Sequence, residues 1–341
     1  MEQLSQISNI AFWTALCLYA VAMVFDFYYL GFRREGAWKI ANVLSWAGLA
    51  VQAVSVVTRG IAAGHLPWGN MYEYSSIVAL IMVAVEKLVV ELRYKVRTVA
   101  GFVLLAAVAT MLIAGTALYR DPGPLVPALD SAWLMIHVIL VITASALLML
   151  GAGVLSPLFL VKVRQERRGA AAIGATRVPR GESEGATADD PPGFEPGADE
   201  PVGSASMAAT ATATVAAAAT APPGAGSPLL AKRGILPPSE TLDRLAYRTI
   251  AVGFVVWTFA VIAGAIWAQR AWGRYWGWDP KEVWAFITWV VFAGYLHARA
   301  TAGWKGTRAA LLASVGFVVV LFTYYVVNIF IVGLHSYAGV S

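Results

Sequence analysis

Cysteine is almost absent from this chain of 341 residues, in which Cys17 is the one thiol. A single thiol forms neither an internal disulfide nor a dithiol redox pair, so thiol chemistry carried by this chain is not expected. The sequence also has no Cys-x-x-Cys-His motif, which argues against a haem attached covalently to the chain itself.

Charged residues are scarce as well: they make up 13% of the sequence, against 59% hydrophobic residues, and the mean hydropathy is +0.66. This composition indicates a polytopic membrane protein and not a soluble domain. We attribute the modest net charge of +5 to cytoplasmic loops and expect no nucleic-acid partner. The first apolar run leads into basic residues without a small-residue cleavage site, so we expect it to be retained as a span.

A membrane-spanning helix needs about 20 mainly apolar residues. The sequence contains eight such stretches, at 9–31, 39–58, 75–92, 98–117, 132–161, 246–268, 282–298 and 309–333. The predicted fold class is therefore all-α, a polytopic integral membrane helical bundle of about eight transmembrane helices.

Basic residues follow every second span and so indicate the orientation of the chain. They are Arg33, Arg34 and Lys39 after the first span, Arg93, Lys95 and Arg97 after the third, Lys162, Arg164, Arg167 and Arg168 after the fifth, and Arg299, Lys305 and Arg308 after the seventh. The positive-inside rule places these loops in the cytoplasm and both termini outside it.

The middle of the chain, 164–243, is rich in Pro, Gly, Ala, Ser and Glu and has little apolar periodicity. We predict a disordered cytoplasmic linker between an N-terminal membrane half, 1–163, and a C-terminal membrane half, 244–341. The Ala- and Thr-rich run 206–222 is not predicted as a ninth span, because Ala and Thr insert weakly and an extra crossing would invert every later loop. No convincing repeat relates the two halves.

A loop with four tryptophans in thirteen residues separates the sixth and seventh spans: Trp272, Trp276, Trp278 and Trp284. Scattered tryptophans usually form an interfacial aromatic belt, but flat, amphipathic indoles also cover a flat apolar ligand. Because the tryptophans are so dense and Gly and Pro interrupt the string, binding of a flat ligand is favoured over an interfacial belt.

Three cations, Arg270, Arg274 and Lys281, lie at this loop although the loop is predicted outside the cytoplasm. A bound anionic group would explain them, since Arg and Lys pair with carboxylates. Asp279 belongs to the same candidate site; its preferred role is to accept backbone N–H bonds before Pro280 and so to hold the loop.

The chain has four histidines. His137 and His335 lie near the outer ends of the fifth and eighth spans, and His65 lies in an outer loop. His297 lies about 20 Å below the outer surface at 1.5 Å per residue, where an ionisable side chain marks a candidate functional site or a hydrogen-bonded packing residue. Two imidazoles that ligate one iron have nitrogens about 4 Å apart, so His137 and His335 can form a pair, whereas a second imidazole for His297 has to come from another chain.

Haem suits the outer pair better than zinc does. Zinc sites usually have three or four ligands, often with Cys or carboxylate, and Asp26, Glu86 and Glu91 are not grouped with the outer histidines. Two axial imidazoles beside an aromatic surface suit a haem, whose propionates would meet the loop cations.

Several of these residues lie in motifs that resemble those of a known family. The string Trp272–Trp284 looks like the WWD domain of haem-handling membrane proteins. His137, Thr288-Trp289, Tyr295-Leu296-His297-Ala298-Arg299, the stretch from Asn328 to Tyr337, and the early loop from Gly64 to Glu73 are similar to the CcsA/ResC family. This family, called CcsB in some bacteria, is the integral-membrane component of System II cytochrome c synthesis.

The resemblance implies a multi-pass protein of the plasma membrane that handles haem b, both ligand and substrate, and presents it under an extracytoplasmic WWD loop to the Cys-x-x-Cys-His motif of apocytochrome c. It implies that His137 and His335 ligate iron at the outer, catalytic site and His297 at an inner site. It also implies a ResB-type membrane partner, without which this chain would be an incomplete cytochrome c haem lyase. His65 matches no ligand position of the family.

Three other functions stay open on the sequence. A haem-delivery WWD protein would hand haem to a chaperone, a transporter would carry another amphipathic solute, and a structural scaffold would need no outer histidines. Co-purification with a ResB-type protein, the absorbance spectrum and tolerance of histidine replacement distinguish them.

Overall fold

The structure, a computed structural model, describes residues 2–123, 131–175, 235–331 and 333. Within these residues every regular element is helical, which confirms the all-α prediction. The α-helices are α1 (Glu2–Phe32), α2 (Glu35–Ala63), α3 (Met71–Val85), α4 (Ala100–Ala117), α5 (Ala132–Leu148), α6 (Ser156–Ala175), α7 (Ser239–Trp272), α8 (Pro280–Ala300), α9 (Thr307–Leu321) and α10 (Asn328–Phe330). The π-helical turns Glu86–Glu91, Met149–Leu155 and Phe322–Val327 follow α3, α5 and α9.

Seven helices in the described part of the chain are long and apolar enough to cross a membrane. The prediction of about eight differs at 75–92. This stretch is helical, but α3 has 15 residues and the π-helical turn after it carries the buried charges Glu86, Lys87 and Glu91. Lys87 Nζ lies 2.6 Å from the Glu91 carboxylate and 3.7 Å from that of Glu86. The charges therefore distinguish this segment from the other spans, although it is helical throughout.

The predicted domain boundaries fall inside helices. Helix α6 continues to Ala175 and α7 begins at Ser239, so helical structure extends beyond residues 163 and 244. Residues 176–234, which include the run 206–222, lie outside the described residues, so the disorder predicted for them stays a prediction. By its contacts the chain divides into a unit of Met1–Gly169 with Ile235–Ser341 and a unit of Ala170–Gly234; the bundle belongs to the first.

Helices α1 and α2 form a tight antiparallel hairpin. The connection is Arg33-Arg34, with Arg33 in the left-handed region at φ 57°. Halfway along, the Tyr19 hydroxyl donates to Gln52 Oε1 at 2.8 Å. Gly48 lies against the Tyr19 ring, where an added Cβ would come within 2.6 Å of a ring carbon. Small residues and interhelical hydrogen bonds are the usual means of association between helices in a bilayer.

Helix α3 contributes to both hydrophobic clusters of the bundle. Tyr72, Ala79 and Val83 pack with buried residues of α1 and α4. Val78 and Met82 pack with residues of α5, α7, α8 and α9. Helix α3 therefore lies between the N-terminal hairpin and the C-terminal helices.

Glycines bring α7 close to α5 and to the π-helical turn after it. At Gly253 of α7 an added Cβ would lie 3.1 Å from Leu147 Cβ. At Gly151, in the π-helical turn, it would lie 2.8 Å from Ile250 Cγ1 and 3.2 Å from the backbone nitrogen of Ile250. Without side chains at these positions, the two backbones approach closely.

The loops that are predicted to be cytoplasmic lie at one end of the bundle. Arg33 donates to the carbonyl of Ile235 at 2.9 Å, just before α7. Arg299, near the end of α8, forms a two-pronged ion pair with Asp243 at 2.8 and 2.9 Å. Helix ends separated in sequence therefore meet at this level, as the predicted alternation requires. That this end faces the cytoplasm stays a prediction.

The close approach at Gly151 is testable. We expect Gly151→Ala to lower the free energy of unfolding by about 1–3 kcal/mol, because a methyl group there overpacks against the α7 backbone. The measurement is thermal unfolding in detergent. The control is Gly294→Ala on α8, where an added Cβ meets nothing within 4 Å. Equal stability of the two variants would contradict close packing between Gly151 and α7.

Candidate functional site

A cavity of about 250 Å³ lies at the opposite end of the bundle, between the loops that precede α3 and α8. Aromatic side chains form much of its wall: Trp68, Tyr74, Trp257, Trp267, Trp276 and Tyr324. His137 of α5, Lys281 of α8 and Asn328 are among its polar wall residues. A mainly apolar wall with a few convergent polar groups is typical of a ligand site.

Capping interactions at the start of α8 hold the tryptophan-rich loop. Asp279 and Glu282 form a capping box, in which each side chain accepts a backbone N–H of the other residue. The Glu282 carboxylate accepts from Asp279 N at 3.0 Å and from Gly277 N at 2.8 Å. Pro280 occupies the first helical turn, where a missing N–H costs nothing. Asp279 therefore accepts backbone N–H groups at the start of α8, which is the geometry that its predicted loop-fixing role requires.

The four tryptophans of this loop do not form one plate. Trp276 lines the cavity, with its ring 5.8 Å from that of Trp278 in an edge-to-face contact. Trp278 is 71% exposed and has a left-handed φ of 59°. Trp272 packs on Trp267, centroids 4.8 Å apart, and Trp267 in turn lines the cavity. Trp284 lies against Phe322 at 4.1 Å, outside the lining.

The three predicted cations occupy different places. Lys281 lines the cavity at the first turn of α8. The Arg270 guanidinium lies over the ring of Trp133 at 5.8 Å. Arg274 is exposed and packs over Gly277, where an added Cβ would lie 2.4 Å from the guanidinium carbon. Of the three, Lys281 is therefore the cation in the cavity wall.

His137 is held by a backbone contact to α7. Its Nδ1 lies 2.7 Å from the carbonyl oxygen of Ala260. A carbonyl only accepts, so Nδ1 carries a proton, and Nε2 is the nitrogen that would offer a lone pair to a metal. Gly264, one turn further along α7, leaves room for the ring, because an added Cβ would lie 2.7 Å from Nδ1. A ring oriented this way through its second nitrogen is the usual form of a metal-ligating histidine.

The other predicted outer ligand, His335, lies outside the described residues. Gly333, two residues earlier, is described. An added Cβ at Gly333 would lie 2.5 Å from the Asp279 carboxylate. The chain before His335 therefore reaches the capped start of α8.

His297 and His65 are not in the cavity wall. His297 is exposed on α8, three residues before the end of that helix at Ala300. His65 lies in the loop after α2, where its Nδ1 contacts the carbonyl of Leu66 at 2.7 Å and its Nε2 that of Gly123 at 3.0 Å. Over the described ranges, no group of three or more His, Cys, Asp or Glu could hold a metal ion.

Several wall residues were not predictable from the sequence. Trp257, Trp267 and Tyr324 lie within apolar helical stretches, where an aromatic residue has no local feature that distinguishes a cavity wall from a core. Trp68 had such a signal, because it belongs to the early loop Gly64–Glu73 noted for its resemblance to the CcsA/ResC family.

The chain is similar over most of its length to proteins of cytochrome c assembly. The family described as "Cytochrome C assembly protein" matches residues 68–335. The chain is 38% identical to the cytochrome c biogenesis protein CcsA of Gloeobacter violaceus over 320 residues, covering 89% of this chain and 90% of that protein. It is 34% identical to CcsA of Porphyra purpurea over 331 residues, covering 96% of this chain and 94% of that protein.

Among solved structures, the fold is similar to that of cytochrome c haem lyase CcmF. The TM-score is 0.58 with 12% sequence identity, and the match covers 94% of this chain and 46% of the other. At this identity the similarity concerns the fold alone.

The capping of α8 yields a prediction about the tryptophan-rich loop. Loss of an N-cap costs about 1 kcal/mol, so we expect Asp279→Ala to speed amide exchange in the first turn of α8 about fivefold. Asp279→Asn is the matched control, since Asn also accepts as an N-cap. Hydrogen–deuterium exchange with mass spectrometry measures both. Unchanged exchange in Asp279→Ala would refute the capping role.

Proposed function

Because the chain belongs to the cytochrome c assembly protein family, we propose that it binds haem in the aromatic cavity and presents it for covalent attachment to apocytochrome c. Family membership supports a role in cytochrome c maturation for this multi-pass membrane protein. The proposal adds haem b as the substrate, the loop Trp272–Trp284 as part of the site, and a ResB-type protein as the partner.

The orientation of His137 is the observation that carries the proposal. Its Nδ1 is engaged by the Ala260 carbonyl, and the ring stands in the wall of a cavity lined mainly by aromatic residues. These residues fit a haem: an imidazole suits the iron, indole faces suit the macrocycle, and the Lys281 ammonium suits a propionate. A pocket for a fully polar solute would not need so many aromatic walls.

His335 is proposed as the second outer ligand. The support is its place in sequence, two residues after Gly333, which lies against Asp279 at the start of α8. Lys281, in the first turn of that helix, lines the cavity. A pair of imidazoles would hold the iron until the histidine of the apocytochrome motif replaces one of them.

The chemistry of attachment needs no nucleophile from this chain. Each cysteine thiol of the Cys-x-x-Cys-His motif adds across a haem vinyl group: a carbon–sulfur bond forms, the thiol proton goes to the other vinyl carbon, and nothing is oxidised or reduced. The proposed contribution of Trp276 and the other wall aromatics is to orient the vinyl edge and exclude water. Alignment of reacting groups of this kind lowers a barrier by several kcal/mol, up to about 7–11.

His297 is proposed as a ligand of an inner site that a partner completes. It is exposed near the end of α8 opposite the cavity. Of the seven membrane-length helices in the described residues, α8 buries the smallest share of its apolar stretch, 17%. A second imidazole from a ResB-type protein on this face would complete the pair, so full haem lyase activity is expected of the complex. The proposed location is the plasma membrane, with the tryptophan-rich loop on the extracytoplasmic face.

The outer site is tested with the histidines of the chain. We expect His137→Ala and His335→Ala to abolish covalent haem attachment to a Cys-x-x-Cys-His reporter, because each removes an iron ligand. The full chain is co-expressed with a ResB-type protein, and haem stain of the reporter is measured alongside membrane insertion. His65→Ala, a loop histidine outside the cavity wall, is the control. Normal attachment in both ligand variants would reject the outer site.

The inner site has a separate readout. We expect His297→Ala to lower the haem content of the purified complex, measured by its Soret absorbance per protein, because haem would lose a ligand on its way to the outer cavity. Tyr247→Phe, on a neighbouring stretch of α7 that carries no proposed ligand, is the control. Unchanged haem content in His297→Ala would reject the inner site without affecting the outer one.

A further inference from the structure

The loop before α3 has its own set of capping interactions. Asn70 is the N-cap of α3, and its side-chain oxygen accepts from Glu73 N at 2.9 Å. The Glu73 carboxylate accepts from Gly69 N at 2.8 Å and from Arg59 Nε at 2.9 Å. Arg59 and Glu73 are both buried. The loop is therefore fixed by a buried ion pair as well as by a helix cap. Trp68 directly precedes Gly69, whose N–H is bound in this way.

The same arrangement recurs before α8. There Trp276 precedes Gly277, and the Gly277 N–H donates to the carboxylate of Glu282 at 2.8 Å, as Gly69 does to Glu73. In both loops the glutamate is the third residue after the N-cap. Asn70 follows Gly69 directly, whereas Trp278 lies between Gly277 and the N-cap Asp279. Because of this extra residue, the repeat is not apparent in the sequence. The structure brings both loops to the same cavity, where Trp68 and Trp276 are wall residues.

Two helix N-termini meet the cavity as a result. Asn70 and Met71 at the start of α3 line it, as do Lys281 and Glu282 at the start of α8. A helix N-terminus carries a partial positive charge, and the Lys281 ammonium adds a full one. Because the Asp279 and Glu282 carboxylates already cap the N-terminus of α8, the Lys281 ammonium is the group at this edge that suits an anionic part of a ligand.

The indole N–H of Trp68 supplies an independent observation. It is buried, and within the described residues it has no hydrogen-bond acceptor. Two other tryptophans use theirs inside the protein: Trp257 donates to the Ala285 carbonyl at 3.1 Å and Trp289 to Thr258 Oγ1 at 3.0 Å. Buried polar groups nearly always have partners. The acceptor for Trp68 is then a group that the described chain does not supply.

We propose that residues 68–71, the part of this loop that lines the cavity, form a second wall of the haem site, and that the Trp68 N–H donates a hydrogen bond to a carboxylate of the bound porphyrin. The inference rests on the proposed function, because it takes the cavity ligand to be haem. Trp68 is a binding residue in this arrangement: it orients the macrocycle through a propionate while His137 faces the iron.

The experiment compares the release of two porphyrins from the purified complex with its ResB-type partner. Haem b and its dimethyl ester, which lacks the two carboxylate charges, are loaded in turn, and transfer to apomyoglobin is followed by absorbance. We expect Trp68→Phe, which keeps an aromatic ring and removes the donor, to release haem b about tenfold faster than wild type, since a hydrogen bond to a charged group is lost. The difference should be clearly smaller for the ester, whose acceptor is uncharged.

The control is Trp13→Phe, a change of a part-exposed tryptophan on α1 that is absent from the cavity wall. Trp68→His keeps a ring N–H, and we expect it to recover part of the retention of haem b. Equal release of haem b from wild type and Trp68→Phe would overturn the inference, as would an equal change for haem b and its ester. Wild-type complex that takes up neither porphyrin would instead overturn the proposed function.

Discussion

The hydrogen bond between His137 Nδ1 and the Ala260 carbonyl depends on how closely α7 approaches α5. Glycines favour that approach: an added Cβ would lie 3.1 Å from Leu147 Cβ at Gly253 and only 2.7 Å from His137 Nδ1 at Gly264. A carbonyl within a helix is already an acceptor for the helix, and it reaches a neighbouring ring only when the two helices are in near contact. The orientation of the candidate ligand is therefore a property of the helix pair.

Carboxylates fix the polar loops at the cavity end. Glu73 accepts the backbone N–H of Gly69, and Glu282 accepts those of Gly277 and Asp279. Each glutamate also belongs to the first turn of a helix. Loops held this way present Trp68 and Trp276 from rigid supports, as a binding site for a large flat ligand requires. The opposite end is held by ion pairs such as Arg299 with Asp243, beside the exposed His297.

Some features were predictable from local sequence and others were not. The helices, the capping role of Asp279 and the place of His137 near the loop followed from apolar length, from an acidic residue before Pro280 and from position along a span. The tryptophan string was expected to act as one surface, yet Trp284 lies against Phe322 and Trp278 faces outward. Spacing along a loop does not determine the direction of side chains once a left-handed residue and a helix start intervene. The charges Glu86, Lys87 and Glu91 after α3, by contrast, form a group through local spacing within one π-helical turn.

The sequence by itself determined that the chain is a membrane protein of helices and which family it resembles, because each span satisfies its own backbone hydrogen bonds within one segment and the family motifs are contiguous. Tertiary structure alone decided which aromatic residues share a cavity, that two capped loops from opposite halves of the chain meet there, and that Ala260 orients His137. These are contacts between residues far apart in sequence. They depend on how closely helices pack. Small residues permit close packing, but their presence in the sequence does not show which helices will meet.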